Sequence, residues 1–170
     1  MAFIKTMTID GYFSKQEAID LSYTIGNLSY KQFEFGKEIE DFNLVPAGSD
    51  ELFSNILGKT IKIDPESGIF RIPDFFIHFE SFTSSNDWLF VVALESSTFN
   101  IYEHQSGAKT ALDGYKFNYQ NLFEWDLTVN HLLEPGQGIF FRPWLFHSFD
   151  KGLIQMFRLN EVSKKLEGIK

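Results

Sequence analysis

The sequence predicts a mainly β protein in which N-terminal helices support a two-sheet antiparallel sandwich or jelly roll. Three observations carry that expectation. Phenylalanine dominates the aromatic residues, 20 Phe against 6 Tyr and 3 Trp, and falls in short alternating or continuous runs rather than at helical spacing. From Lys59 onward, short apolar segments alternate with turns rich in Gly, Pro and Asp. Helical patterning is confined to the first sixty residues. With 170 residues, 44% of them apolar, the chain can bury a core and is expected to form one domain over 1–170.

The first helix is expected at Ser14-Lys-Gln-Glu17, which has capping-box spacing. Ala18, Leu21, Ile25 and Leu28 follow at steps of three and four and make one apolar face. A second, shorter helix is expected after Ser49. Asp50 and Glu51 suit its positive first turn, Leu52, Phe53, Ile56 and Leu57 face inward, and Gly58 stops it. Strands are then expected at 59–63, 69–72 and 75–82, separated by Asp64-Pro-Glu-Ser-Gly68 and Pro73-Asp74. Residues 88–94 are continuously apolar and predict a strand buried on both faces, whereas 98–104 and 115–119 predict half-buried ones. Residues 126–133, 138–141, 145–149 and 153–159 complete the series, with a tight turn at Pro135-Gly136. The run 122–126 reads as a mobile loop, and 160–170 as a short polar helix or frayed tail.

Charge and composition exclude several functions. A net charge of −8 repels a phosphate backbone, so no nucleic-acid partner is expected. Zero cysteines remove disulfide scaffolds, thiolate metal sites and cysteine nucleophiles, so any metal must be held by His, Asp or Glu. No basic start leads into a long apolar run, and 88–94 is far too short to cross a bilayer; the expectation is a soluble, cytoplasmic protein with no membrane partner. The Asn27-Leu-Ser29 sequon is idle without export. There is no Gly-x-Ser-x-Gly elbow and no phosphate loop, and Gly136-Gln-Gly138 leads into a strand rather than a helix.

Four histidines remain: His78, His104, His131 and His147. Only His78 has an acid two positions on, Glu80, and alternation along a strand projects both side chains to one face. At an acidic frequency of 23 in 170, four histidines give about half such a match by chance, so the pair alone also suits a hydrogen-bonded structural contact. His147 opens a strand after Pro135-Gly-Gln-Gly-Ile-Phe-Phe-Arg-Pro-Trp, a turn and corner that can return a distant His to the mouth of a jelly roll. Arg158, 11 residues later, lies in an otherwise apolar strand and needs an anionic partner, either a ligand or one of the chain's carboxylates. His104 reads as an exposed loop residue and His131 as a hydrogen-bonded strand residue, both outside the metal set. Arg142 reads as an alternative anion ligand or a corner ion pair, and Trp88, Trp125 and Trp144 as core or substrate floor.

His78-x-Glu80, His147 and Arg158, in that order and spacing, resemble the His-x-Asp/Glu, His, Arg pattern of the Fe(II)- and 2-oxoglutarate-dependent oxygenases. The likeness spans 75–159. Ile9-Asp-Gly-Tyr-Phe-Ser-Lys-Gln-Glu17 is similar to the lead-in of small prolyl-hydroxylase-like members, some of them from bacterial viruses. The resemblance implies a double-stranded β-helix, Fe(II) held by His78, Glu80 and His147, and 2-oxoglutarate gripped through its far carboxylate by Arg158. It further implies a dioxygenase that hydroxylates an unidentified small molecule or protein side chain. Two positions depart from the common pattern: Glu80 stands where Asp is usual, and Phe-Arg158-Leu-Asn160 lacks a Ser or Thr two residues after the Arg. A cupin-like metal or small-molecule binder and a non-catalytic interaction module are the other readings of such a barrel.

Overall fold

The computed structural model describes residues 5–25, 30–33, 36–39, 45–64, 68–72 and 76–162, with 30–39 described as backbone only. The elements are β1 (Thr6–Ile9), α1 (Lys15–Ile25), β2 (Tyr30–Phe33), β3 (Gly36–Ile39), α2 (Ser49–Leu57), β4 (Ile61–Ile63), β5 (Gly68–Ile72), β6 (Trp88–Ala93), β7 (Ser97–His104), β8 (Trp125–Leu133), β9 (Gly138–Phe141), β10 (Phe146–Phe149) and β11 (Gly152–Glu161). Among the described residues they form two sheets. The larger runs β1-β9-β6-β11-β5-β3-β2, with β4 also paired to β11, and the smaller runs β10-β7-β8; every pairing is antiparallel.

Alternation along the central strands explains the layering. Leu89, Val91 and Ala93 of β6, Ile139 and Phe141 of β9, and Ile154 and Met156 of β11 meet Phe99, Ile101, Phe146 and Phe149 of the smaller sheet in one core. The intervening Trp88, Phe90, Val92, Phe140, Leu153 and Phe157 face the other way and are covered by Ala18 and Ile25 of α1 and Phe53 of α2. Burial of 88–94 on both faces, expected from its continuous apolar run, follows from this sandwiching. Gly138 permits the layers to close: a Cβ there would lie 2.2 Å from Phe90 Cζ, so only the glycine lets β9 pass over that ring.

The helices form as their end signals predict. Ser14 Oγ accepts from Glu17 N at 3.0 Å, and Glu17 Oε1 accepts from Ser14 N at 3.0 Å, which closes the capping box. In α2, Gly58 takes a left-handed φ of 69° and its N–H caps Ser54 O. Phe53 anchors that helix, stacked 5.6 Å from Tyr12 and 4.8 Å from Phe90. The Tyr12 hydroxyl donates to Ser49 Oγ (2.7 Å), whose own proton goes to Pro46 O, and burial pushes the phenol up to about 12. Among the described residues no helix is long and apolar enough to cross a membrane.

Several expectations need correction. Residues 76–82 form no strand beyond one bridge, His78 to His147, because the next backbone bond, from Glu80 N, goes to Pro143 O in the corner rather than to a strand. Residues 115–119 are turn and coil, held by ring contacts to Phe79 and Phe146 with no described strand partner, and 122–126 is a 3-10 turn (Leu122–Glu124) leading straight into β8. Leu52 is 41% exposed instead of inward. The segment from 160 continues β11 to Glu161, pairing β4, and 163–170 lie outside the described residues, as do Leu28 and Phe75. Strands β1, β2 and β3 were not expected.

Candidate metal centre

The two histidines are joined through their backbones. His78 N donates to His147 O at 3.0 Å and His147 N to His78 O at 2.9 Å, so the bridge at the edge of β10 puts both imidazoles on the inner face, ring centroids 4.3 Å apart. Two residues on, Glu80 N donates to Pro143 O at 2.9 Å and holds the carboxylate on the same side. His78 Nε2 lies 3.1 Å from Glu80 Oε1, and ligand atoms of His78, Glu80 and His147 all fall within 4.8 Å of one another. The period of two expected for His78 and Glu80 therefore holds although the segment is not a regular strand.

Each imidazole is oriented in the same way. Nδ1–H of His147 donates to Leu145 O at 2.8 Å, and Nδ1–H of His78 to Phe76 O at 3.2 Å, in both cases the carbonyl two residues upstream. Such a bond fixes the tautomer and leaves Nε2 to face the site. For His147 that nitrogen is fully buried and, among the described residues, has no hydrogen-bond partner. Burial, with His78 adding to it against the opposing pull of Glu80 and the Leu145 carbonyl, drives the His147 pKa down to about 3, so its Nε2 offers a lone pair rather than a proton at neutral pH. Burial alone would raise the Glu80 pKa. The contact with His78 and the charge of Arg158 outweigh it and hold the carboxyl near 2, fully ionised. Two imidazole nitrogens and one carboxylate, one nitrogen buried and unpartnered, form a donor set that a divalent metal ion satisfies.

Arg158 lies beside this group. It occupies the point where β11 leaves β5, after Met156, and takes up β4, at Leu159, and its carbonyl accepts from Asp64 N at 2.8 Å. Its Nη2 donates to Glu80 Oε2 at 3.2 Å. Glu80 thus turns one oxygen to His78 and the other to Arg158, an arrangement the sequence reading left open when it allowed a carboxylate partner for this cation.

A cavity of about 820 Å³ opens against His78, Glu80 and Arg158, walled by half-buried rings including Phe76, Phe79, Phe117 and Tyr119. Read from sequence as a strand, 115–119 instead supplies part of this wall; the alternating Tyr115, Phe117 and Tyr119 were its only signal. A more polar hollow of about 1080 Å³ lies farther off, and of the four site residues it touches only Arg158.

The remaining candidates are structural. Arg142 is buried, 3.6 Å over the Trp88 ring, and donates to Asn86 O and Asp87 O, so it ties down the 83–87 turn. Trp144 Nε1 donates to Ser85 O in the same corner. His104, expected to be exposed, is half-buried and stacks on Phe117 at 3.9 Å with Trp125 edge-on at 4.8 Å. His131 sits on β8 opposite Phe99, and neither histidine joins the metal set.

No protein-family model matches the chain, and no curated protein matches it. Solved structures do resemble it. HygX from Streptomyces hygroscopicus with nickel and 2-oxoglutarate bound aligns with a TM-score of 0.54 at 11% identity, over 93% of this chain and 83% of that one. The same protein with nickel, 2-oxoglutarate and hygromycin B bound gives 0.59 at 10% identity over the same shares. SnoN, the non-heme alpha-ketoglutarate-dependent epimerase of nogalamycin biosynthesis, gives 0.56 at 10% identity over 94% and 81%. At these identities the likeness establishes a shared fold.

Proposed function

We propose that the chain is a single-domain Fe(II)- and 2-oxoglutarate-dependent oxygenase on a double-stranded β-helix, with His78, Glu80 and His147 holding the metal and Arg158 binding the far carboxylate of the co-substrate. The buried, unpartnered Nε2 of His147, facing His78 and Glu80, carries the proposal. One neighbour of the same fold, HygX, solved twice with nickel and 2-oxoglutarate, supports it. The Ile9–Glu17 lead-in favours the small prolyl-hydroxylase-like branch, and in this chain it also serves the scaffold through Tyr12 and the capping box.

Ferrous iron with 2-oxoglutarate bound supplies oxygen chemistry, oxidising a substrate C–H bond as the co-substrate loses carbon dioxide and becomes succinate. The chain's residues do the rest. The two Nδ1–H bonds to carbonyls hold each imidazole in the tautomer that can ligate. Glu80 would contribute the single anionic ligand beside the two imidazoles, a donor set that suits ferrous iron taking a chelating co-substrate. Arg158 offers a permanently charged, planar fork at the rim; with five N–H donors it can serve Glu80 and a second carboxylate together. Hydrocarbon from Ile72, Ile154 and Met156 lines the same cavity and limits water.

The test is anaerobic. Fe(II) added to the protein, followed by 2-oxoglutarate, should give the weak visible charge-transfer band of a chelated complex, and candidate substrates should then elicit succinate on exposure to air. A folded protein that shows no band rejects the oxygenase.

A further inference from the structure

The cavity beside the metal centre has a chemical character that the cofactors do not explain. Among the described residues its charged groups are Glu80 and Arg158, already paired with each other at 3.2 Å, together with the imidazole of His78. Most of the remaining wall is ring and hydrocarbon. Phe70, Phe79, Phe117 and Tyr119 pack one side on the core and are only partly buried, which leaves the other side to the cavity. The Tyr119 hydroxyl donates to Tyr115 O, so this residue offers its ring and not its polar tip. Phe76 lies over His78 with centroids 4.3 Å apart, so an aromatic face borders a proposed metal ligand.

Polar groups are few and lie on one side. Asn118 and Gln120 are exposed and line the cavity, and neither the amide nitrogen of Asn118 nor the carboxamide of Gln120 has a partner among the described residues. A volume of about 820 Å³ falls within the range of small-molecule sites. A cationic sugar would find one carboxylate, already engaged by His78 and Arg158, and rings in place of hydroxyl partners. Stranding its polar groups there would be unfavourable.

We infer that the prime substrate is a neutral, ring-bearing molecule held between Phe79, Phe117 and Tyr119, with its hydrogen-bonding substituents turned to Asn118 and Gln120. This rests on the oxygenase reading for the word substrate. Ring binding itself needs no metal, and the two are therefore tested apart.

Indole serves as the neutral probe and glucosamine as the cationic one, each titrated into the full-length, metal-free chain and followed by ligand-observed NMR. Indole is expected to bind and glucosamine to show no saturation transfer. Tyr119→Phe should leave indole binding unchanged, and Tyr119→Ala should weaken it about tenfold, as loss of one aromatic contact does. If Tyr119→Ala melts early, Asn118→Trp, at an exposed position, places a ring across the mouth and should abolish binding without loss of fold. Indole that fails to bind, or binds equally to Tyr119→Ala and Asn118→Trp, overturns the inference, as does glucosamine binding as tightly as indole. Metal binding without indole binding removes this inference and leaves the oxygenase; indole binding without metal binding does the reverse.

Discussion

Replacing His147 with leucine separates a ligand from a packing residue, because the two roles predict different signs of stability change. The imidazole is fully buried, 4.8 Å from the Phe141 ring and 5.9 Å from those of Phe99 and Phe149, and an aliphatic side chain of similar size fits among them. Two polar changes oppose each other. Losing the Nδ1–H bond leaves Leu145 O without that donor, at a cost of about 1–3 kcal/mol, while removing a buried Nε2 that has no partner relieves a penalty of similar size, about 1–3 kcal/mol. His147→Leu should therefore lie within about 1 kcal/mol of the parent without metal, against a loss of about 3 kcal/mol, the upper end for ordinary substitutions, if packing required the imidazole. The metal response should change completely. Nickel at about a hundredfold over its dissociation constant stabilises the parent by about 2.7 kcal/mol. With an unfolding entropy of about 2.1 cal/mol/K per residue, that raises Tm by about 8 °C. Thermal melts with and without nickel should show this rise in the parent and none in the variant. A variant that loses about 3 kcal/mol unaided would make the imidazole a packing element; one that keeps the nickel shift would place the metal elsewhere.

Arg158→Met should retain nickel binding but weaken 2-oxoglutarate at least tenfold, measured by calorimetry on the nickel-loaded protein. Gly138→Ala drives a methyl into the buried Phe90 ring and should cost about 3 kcal/mol in urea unfolding, the upper end of overpacking penalties; a change near zero would mean that β9 can shift off β6. Glu95 is held below its ordinary 4.5, first by the hydrogen bond from Arg71, against partial desolvation and with help from Ser22. Because the folded value is the lower one, its contribution is complete above 4.5 and disappears as pH falls through the folded value. Glu95→Gln should accordingly flatten the acid limb of the stability profile there, and parallel acid limbs in parent and variant would dismiss the ion pair.

The convergence of His78, Glu80 and His147 was legible because it depends on local rules. A spacing of two puts His78 and Glu80 on one side even where a single bridge replaces a strand, and the turn and corner before His147 announce a returning strand. The partner of Arg158 was not legible: Glu80 lies 78 positions away, and nothing local distinguishes it from the chain's other carboxylates. Tyr115, Phe117 and Tyr119 alternate as a strand would, but no described neighbour offers them a ladder, and the rings of Phe117 and Tyr119 line a cavity instead. Strands β2 (YKQF) and β3 (GKEI) are four residues each with few apolar side chains, too short for periodicity to register; their pairing with each other and of β3 with β5 supplies what local pattern does not.

The reciprocal amide bonds between His78 and His147 set their backbones side by side, and the Nδ1–H bonds to Leu145 O and Phe76 O set the rings. Neither residue can swing out alone without breaking the pair, so both should be released in one opening event, and their two amide protons should exchange with solvent at a common rate. An ion bound at the proposed site would therefore meet donors that the polypeptide has already drawn together.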